Sequence, residues 1–376
     1  MIQLFSSLVI CFFGVISNVC MAILLTRPSL ATTTNRLLAV VTLSDALLML
    51  SYLIYLNHFE FRLSKFEAYP KTRCPVDILT YGWVIFQLLH SNWSVFLRAF
   101  SLWLSVAMAG YRKHVLSKTK PRRMEKASLP VKLSFGVAGC VFLVCLPIFL
   151  QNTITEGPRA PENNSICPMN HSTYYKLSTA SYAMWNDSLL LKTAYWTNGL
   201  LLKLCPCVFL AYYLLRVVLL MYARHRRRQK TLFRNYASPS SVRSETGNHP
   251  RSVMMPTSVI LVTVLLVTVL CEMPNAILSV MTGLFPDLFI RNTYAYLGEI
   301  MDLLSLFSCT STSVLYFSMS RSLRQSFVAT FCTFKKENGF RNSTTFGTVA
   351  DATEKCGGDT EIIVSKSNLC DLGTQV

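Results

Sequence analysis

Seven stretches of this chain are apolar over lengths that suit helices crossing a lipid bilayer, and this constrains its fold more than any other feature. They are Ile2–Leu25, Leu37–Leu56, Tyr81–Tyr111, Val131–Leu150, Trp196–Tyr222, Val259–Leu284 and Thr293–Phe317. A helix needs about 20 apolar residues to span hydrocarbon. Only 15% of the residues are charged, against about 25% in an ordinary soluble domain. The expected fold is therefore an all-α membrane protein: a seven-transmembrane helix bundle over residues 1–332. The basic segment Ser320–Phe331 reads as a short amphipathic eighth helix, and the polar stretch 333–376 as a disordered cytoplasmic tail. The first run has no basic leader and is longer than a secretory signal core, so it reads as a true span.

The formal net charge of +17 is placed almost wholly in loops. Arg27 and Arg36 follow the first run. Lys113, Lys118, Lys120, Arg122, Arg123, Lys126 and Lys132 follow the third, and Arg224, Arg226, Arg227, Arg228, Lys230 and Arg234 the fifth. Basic loops stay on the cytoplasmic side, which gives a plasma-membrane, multi-pass chain with an extracellular N-terminus and a cytoplasmic C-terminus. The same rule explains the charge without a nucleic-acid partner, and Arg226–Arg228 add an attraction to anionic membrane lipid.

Three glycosylation triplets, at Asn163, Asn170 and Asn186, fall in the loop after the fourth run, which charge already places outside. Of thirteen cysteines, only Cys74 and Cys167 lie in loops on that oxidising side, which makes them the disulfide candidates. Cys332 follows the amphipathic segment as a palmitoylation candidate.

Polar groups within the spans are costly and mark functional or paired positions. Asn18 and Asp45 lie at mid-membrane depth on the first and second runs, where each is easier to bury beside the other. Glu272 lies two residues before Pro274 in the sixth run. Glu299 and Asp302 are three apart on one face of the seventh. Two roles are open to these acids. They are ligand-binding candidates for a cationic group entering from outside, or they are neutralised internally by Arg98 and Lys203, which are also intramembrane. No phosphate loop, Rossmann fingerprint, zinc signature or nucleophile constellation is present, so the expected class is not an enzyme.

Several segments, taken in order, resemble the rhodopsin-like G-protein-coupled receptors. They are Trp103-Leu104-Ser105-Val106-Ala107-Met108-Ala109-Gly110-Tyr111-Arg112, Cys271-Glu272-Met273-Pro274 and Thr312-Ser313-Val314-Leu315-Tyr316, each at the expected place in its run. Leu297-Gly298-Glu299-Ile300-Met301-Asp302-Leu303-Leu304 and Tyr316-Phe317-Ser318-Met319-Ser320-Arg321 are similar to the FMRFamide and myosuppressin-type neuropeptide receptors; the nematode class W serpentine receptors belong to the same broad group. The likeness covers residues 1 to about 332.

This resemblance implies roles for individual residues. Arg112 and Tyr316 match the positions that serve G-protein coupling. Pro274 matches the helix 6 hinge, where a proline frees a backbone carbonyl and permits a kink. Asp45, Asn18, Ser101 and Ser308 match a polar cluster that holds a sodium ion; no other cofactor is implied. The implied partners are an extracellular peptide ligand, a heterotrimeric G protein and arrestin. The sequence also departs from the pattern. Tyr111 stands where an acid usually precedes the arginine, Lys113 where a tyrosine follows, Glu272 where a tryptophan is usual, and Thr312-Ser313 where Asn-Pro is usual. Arg112 thus lacks the usual carboxylate restraint, which implies raised basal activity.

The function expected from these readings is a receptor for an amidated neuropeptide that signals through a G protein. A chemosensory receptor for a small molecule is the alternative, and a seven-helix transporter is the rival from another class. A transporter often carries an internal repeat with paired broken helices, and the two halves of this chain show none.

Overall fold

The computed structural model describes residues 2–60, 79–117, 128–157, 175–236, 254–284 and 295–332. Seven helices in it are long and apolar enough to cross a membrane. We number them α1 (Ile2–Leu25), α2 (Thr33–Tyr55), α3 (Tyr81–Ser117), α4 (Leu129–Leu150), α5, α6 (Met254–Leu284) and α7 (Ala295–Met319). The fifth is a composite: Trp185–Trp196 runs through a π-helical stretch, Thr197–Leu204, into Cys205–Tyr236. A short α8, Arg321–Phe327, follows α7, and the Ser320 hydroxyl caps it by accepting from Leu323 N at 3.4 Å.

The apolar runs anticipated all seven helices, but not their ends. Helix α3 continues past Tyr111 to Ser117, and the last part of α5 past Tyr222 to Tyr236. Hydropathy detects only the part of a helix that lies in hydrocarbon. Lys, Arg and Gln are good helix formers, so a helix continues into water after the apolar signal has stopped.

The helices close into a ring: α1 packs on α2 and α7, α2 on α3, α3 on α4 and α5, and α6 on α5 and α7. A buried apolar cluster including Leu37, Leu102, Leu104, Met108, Leu261 and Leu265 packs α2, α3 and α6 together. A smaller one, with Cys11, Leu48, Met49, Leu97, Leu306 and Cys309, joins α1, α2, α3 and α7. Large apolar residues on the outer faces, such as Phe135, Leu143 and Leu270, remain exposed, as a surface solvated by lipid requires. Gly14 permits the close approach of α1: a Cβ there would lie 2.2 Å from Met49 Sδ and 2.8 Å from Thr310 Oγ1.

A β-hairpin covers the N-terminal end of α3. Strand β1 (Asn152–Glu156) pairs antiparallel with β2 (Tyr175–Thr179), with Ile154 opposite Leu177. The Tyr175 amide donates to the Leu79 carbonyl at 3.1 Å, and its ring packs on Tyr81 with centroids 5.1 Å apart. These strands were not anticipated, although the Thr-Ile-Thr of β1 is β-favouring.

Candidate functional site

Halfway along the bundle, polar side chains from five helices meet in an otherwise apolar interior. Arg98 of α3 is central. Its guanidinium pairs with the Glu272 carboxylate of α6, its Nη1 donates to Cys309 Sγ of α7 at 2.8 Å, and the same nitrogen lies 3.9 Å from Asp45 Oδ1 of α2. The Arg98 side chain is 11% exposed, and those of Glu272 and Asp45 2% each. Ser305 of α7 donates to the same Glu272 oxygen at 3.2 Å. One basic and two acidic side chains are thus held together, and they link α2, α3 and α6 at the level of Pro274.

Asn18 joins this cluster from α1. Its Nδ2 donates to the Gly14 carbonyl at 2.9 Å, to the Cys309 carbonyl at 3.4 Å and to Met49 Sδ at 3.7 Å. None of these bonds reaches Asp45, whose nearby cation is Arg98. Ser101 and Ser308 are both buried. Asn18 Oδ1, Asp45 Oδ1 and Ser308 Oγ are buried without a hydrogen-bond partner among the described residues. Carboxamide, carboxylate and hydroxyl oxygens are hard donors of the type that suits a sodium ion, and burying them unsatisfied is costly.

Lys203, in the π-helical stretch of α5, lies in different company. Its Nζ donates to Asn275 Oδ1 at 3.1 Å and to Ser279 Oγ at 2.9 Å, both on α6. Gly199 allows this: a Cβ there would sit 2.9 Å from the Ser279 carbonyl oxygen, so α5 and α6 touch backbone to backbone one turn away. Asp302 is exposed on α7. Glu299 lies on the same helix one turn earlier, and its side chain is outside the described residues.

At the same end of α2 and α3 as the hairpin, aromatic rings close the wall. His90 stacks on Tyr55 at 4.6 Å, and its Nδ1 is 3.2 Å from Ser51 Oγ; His58 stacks on Trp83 at 3.4 Å.

At the opposite end, Arg112 is buried at 7% exposure on α3, and Tyr316 at 2% on α7. The Tyr316 hydroxyl donates to Asn35 Oδ1 of α2 at 3.4 Å. Lys113 lies over the rings of Tyr212 and Tyr213 of α5, at 5.4 and 5.6 Å from their centroids. Arg224, farther along α5, donates to the Leu116 carbonyl of α3. Cations at this end therefore join α3 to α5.

Cys74, Cys167, Asn163, Asn170 and the tail 333–376 lie outside the described residues. Asn186 lies in the first turn of α5 and Cys332 ends the π-helical turn Val328–Cys332; the side chains of both are outside the described residues.

Of the acids and cations named from sequence, the structure joins Arg98 to Glu272 and brings it near Asp45, and bonds Lys203 to neutral oxygens of α6, with Asp302 and Glu272 acting on it from farther off. Asn275, Ser279, Ser305, Cys309 and Asn35 were not singled out. A signal existed for two of them: Asn275 and Ser279 lie three and seven residues after Glu272, so the three polar groups share one face of α6.

The chain matches the family model of the serpentine-type seven-transmembrane G-protein-coupled receptor chemoreceptors, Srw, over residues 5–334. It is 30% identical over 362 residues to the "G-protein coupled receptor dmsr-1" of Caenorhabditis elegans, an alignment spanning 88% of this chain and 68% of that relative. The chain belongs to the serpentine seven-transmembrane G-protein-coupled receptor family. It is a receptor in the membrane for an extracellular ligand, coupled to a G protein, and not an enzyme.

Proposed function

We propose that this serpentine receptor takes a short amidated peptide of the FMRFamide or myosuppressin type at the hairpin end of its bundle. One observation carries the reading. Two of the intramembrane acids, Asp45 and Glu272, are buried around Arg98, whereas Asp302 is exposed on α7 one turn from Glu299. An exposed carboxylate walled by apolar helices suits the guanidinium of a peptide arginine, which it binds through charge-assisted hydrogen bonds. The aromatic wall of Tyr55, His90 and Trp83 suits the ring beside such an arginine. On this reading Glu272 is a structural partner of Arg98.

The hairpin end then faces outward and the Arg112 end faces the cytoplasm, in accord with the basic loops at 112–132 and 224–234. Ligand binding biases a two-state bundle. Its moving part is the inner half of α6, turning about Pro274 to open a cavity lined by Arg112 and Tyr316 for the G protein. Asp45, Asn18 and Ser308 would hold a sodium ion, which would supply positive charge to a cluster whose own ionised groups sum to −1. Cys74 with Cys167, the Asn163, Asn170 and Asn186 glycans, a Cys332 palmitate and an arrestin contact complete the receptor as we read it.

The test is a screen of synthetic amidated peptides against cells expressing the receptor with a promiscuous G-protein reporter. A responding peptide should lose potency at least about tenfold with Asp302→Asn. A response to small odorants only, with no amidated peptide active, overturns the reading in favour of a chemosensory ligand, which the name of the matching family suggests.

A further inference from the structure

Two basic residues inside the bundle, Arg98 and Lys203, are treated very differently. Arg98 is met by the Glu272 carboxylate and lies near Asp45. Lys203 is met by a carboxamide and a hydroxyl, and Asp302 and Glu272, the acids whose charges reach it, lie beyond 4 Å of its Nζ. Neutral dipoles offset only part of the cost of bringing an ammonium out of water. An ammonium has three N–H donors; Asn275 and Ser279 take two.

The backbone around Lys203 is also unusual. Thr197–Leu204 is π-helical for eight residues, whereas π-helix is rare, mostly confined to single-turn bulges, and frequent at functional sites. The Gly199 contact with Ser279 brings α5 against α6 at this level. Lys203 itself is half-buried, while Asn275 and Ser279 are buried and hold it in place.

We infer that Lys203 is an anchoring site for a carboxylate of the ligand, with Asn275 and Ser279 orienting its ammonium toward that group. This rests on the hairpin end being the ligand side, and it narrows the ligand class. A ligand spanning α5 and α7 carries an acid for Lys203 and a base for Asp302. In a peptide the carboxylate is an Asp or Glu side chain; in a small ligand it is a free organic acid.

The experiment uses the full chain purified in detergent, with binding read as a shift of the thermal melting midpoint. Three probes are compared: the amidated tetrapeptide Phe-Asp-Arg-Phe, its isostere Phe-Asn-Arg-Phe, and succinate. Wild type should bind the Asp peptide about tenfold more tightly than the Asn peptide. Lys203→Gln, which keeps donors for Asn275 and Ser279, should bind both equally; Lys203→Arg should keep the preference. Asp302→Asn should weaken both peptides alike. No acid preference in wild type, or one that survives Lys203→Gln, overturns the Lys203 site. If neither peptide binds, the amidated-peptide reading fails, and succinate decides the site: a shift that Lys203→Gln abolishes upholds it, and no shift overturns it.

Discussion

The pairing of Arg98 with Glu272 and its approach to Asp45 predict an order of destabilisation that a simple count of ion pairs would not. Arg98→Met leaves two carboxylates buried with no cation, the costlier error, and belongs at the upper end of the roughly 3–5 kcal/mol for breaking a buried pair. Glu272→Gln is milder. The guanidinium still faces Asp45 at 3.9 Å, an attraction of about 4 kcal/mol at an effective dielectric of 20 before desolvation is subtracted. The double variant Arg98→Met/Glu272→Gln leaves only Asp45 without a partner. Its cost should fall short of the sum of the single costs by at least about 1 kcal/mol. The structure supplies the assay: Cys11, Cys145, Cys207, Cys271 and Cys309 are buried thiols, so a maleimide dye reports melting of the purified receptor. Wild type should melt highest, then Glu272→Gln, with Arg98→Met lowest. The pair ties α3 to α6 beside Pro274, so both single variants should also raise ligand-independent signalling per surface receptor. If about 3 kcal/mol is lost from the closed state alone, the equilibrium moves about 100-fold. Equal melting of wild type and both single variants, or costs that simply add, would refute the buried linkage.

Four other outcomes follow from the same structure. Arg112→Ala should abolish ligand-dependent signalling while surface expression persists; full signalling would remove Arg112 from the coupling site. Tyr111→Asp should lower basal signalling by giving Arg112 an adjacent acid, and an unchanged basal level would count against a missing restraint. Gly14→Ala should cost about 1–3 kcal/mol by overpacking against Met49, and Met49→Ala in the same chain should recover part of the loss; equal melting of Gly14→Ala and wild type would contradict the packing of α1. Replacing sodium by choline at constant ionic strength should lower the melting midpoint of wild type but not of Asp45→Asn, and equal shifts in both would remove the ion from the cluster.

The elements that could be read from sequence are those set by short-range rules. Seven apolar runs become seven helices because hydrocarbon leaves the backbone no other common solution, and the Ser320 cap of α8 lies four residues past Tyr316 in plain view. Partner choice inside the bundle was not legible. Glu272, Asp45, Arg98 and Lys203 could all be named as intramembrane charges, but Arg98 and Glu272 are 174 positions apart in the chain. Their meeting depends on the depth and rotation of two helices, which hydropathy does not encode. The π-helical stretch at Thr197–Leu204 had no sequence signal either, since Thr-Asn-Gly-Leu-Leu-Leu-Lys-Leu is compatible with an ordinary α-helix. That stretch matters because its wider turns alter the rotation of everything beyond it. It helps decide that Lys203 reaches Asn275 and Ser279 on the polar face of α6, about one and two turns beyond Glu272. One basic side chain is thereby built into the internal support of the bundle, and the other is held by neutral oxygens, with Asp302 and Glu272 acting on it from farther off.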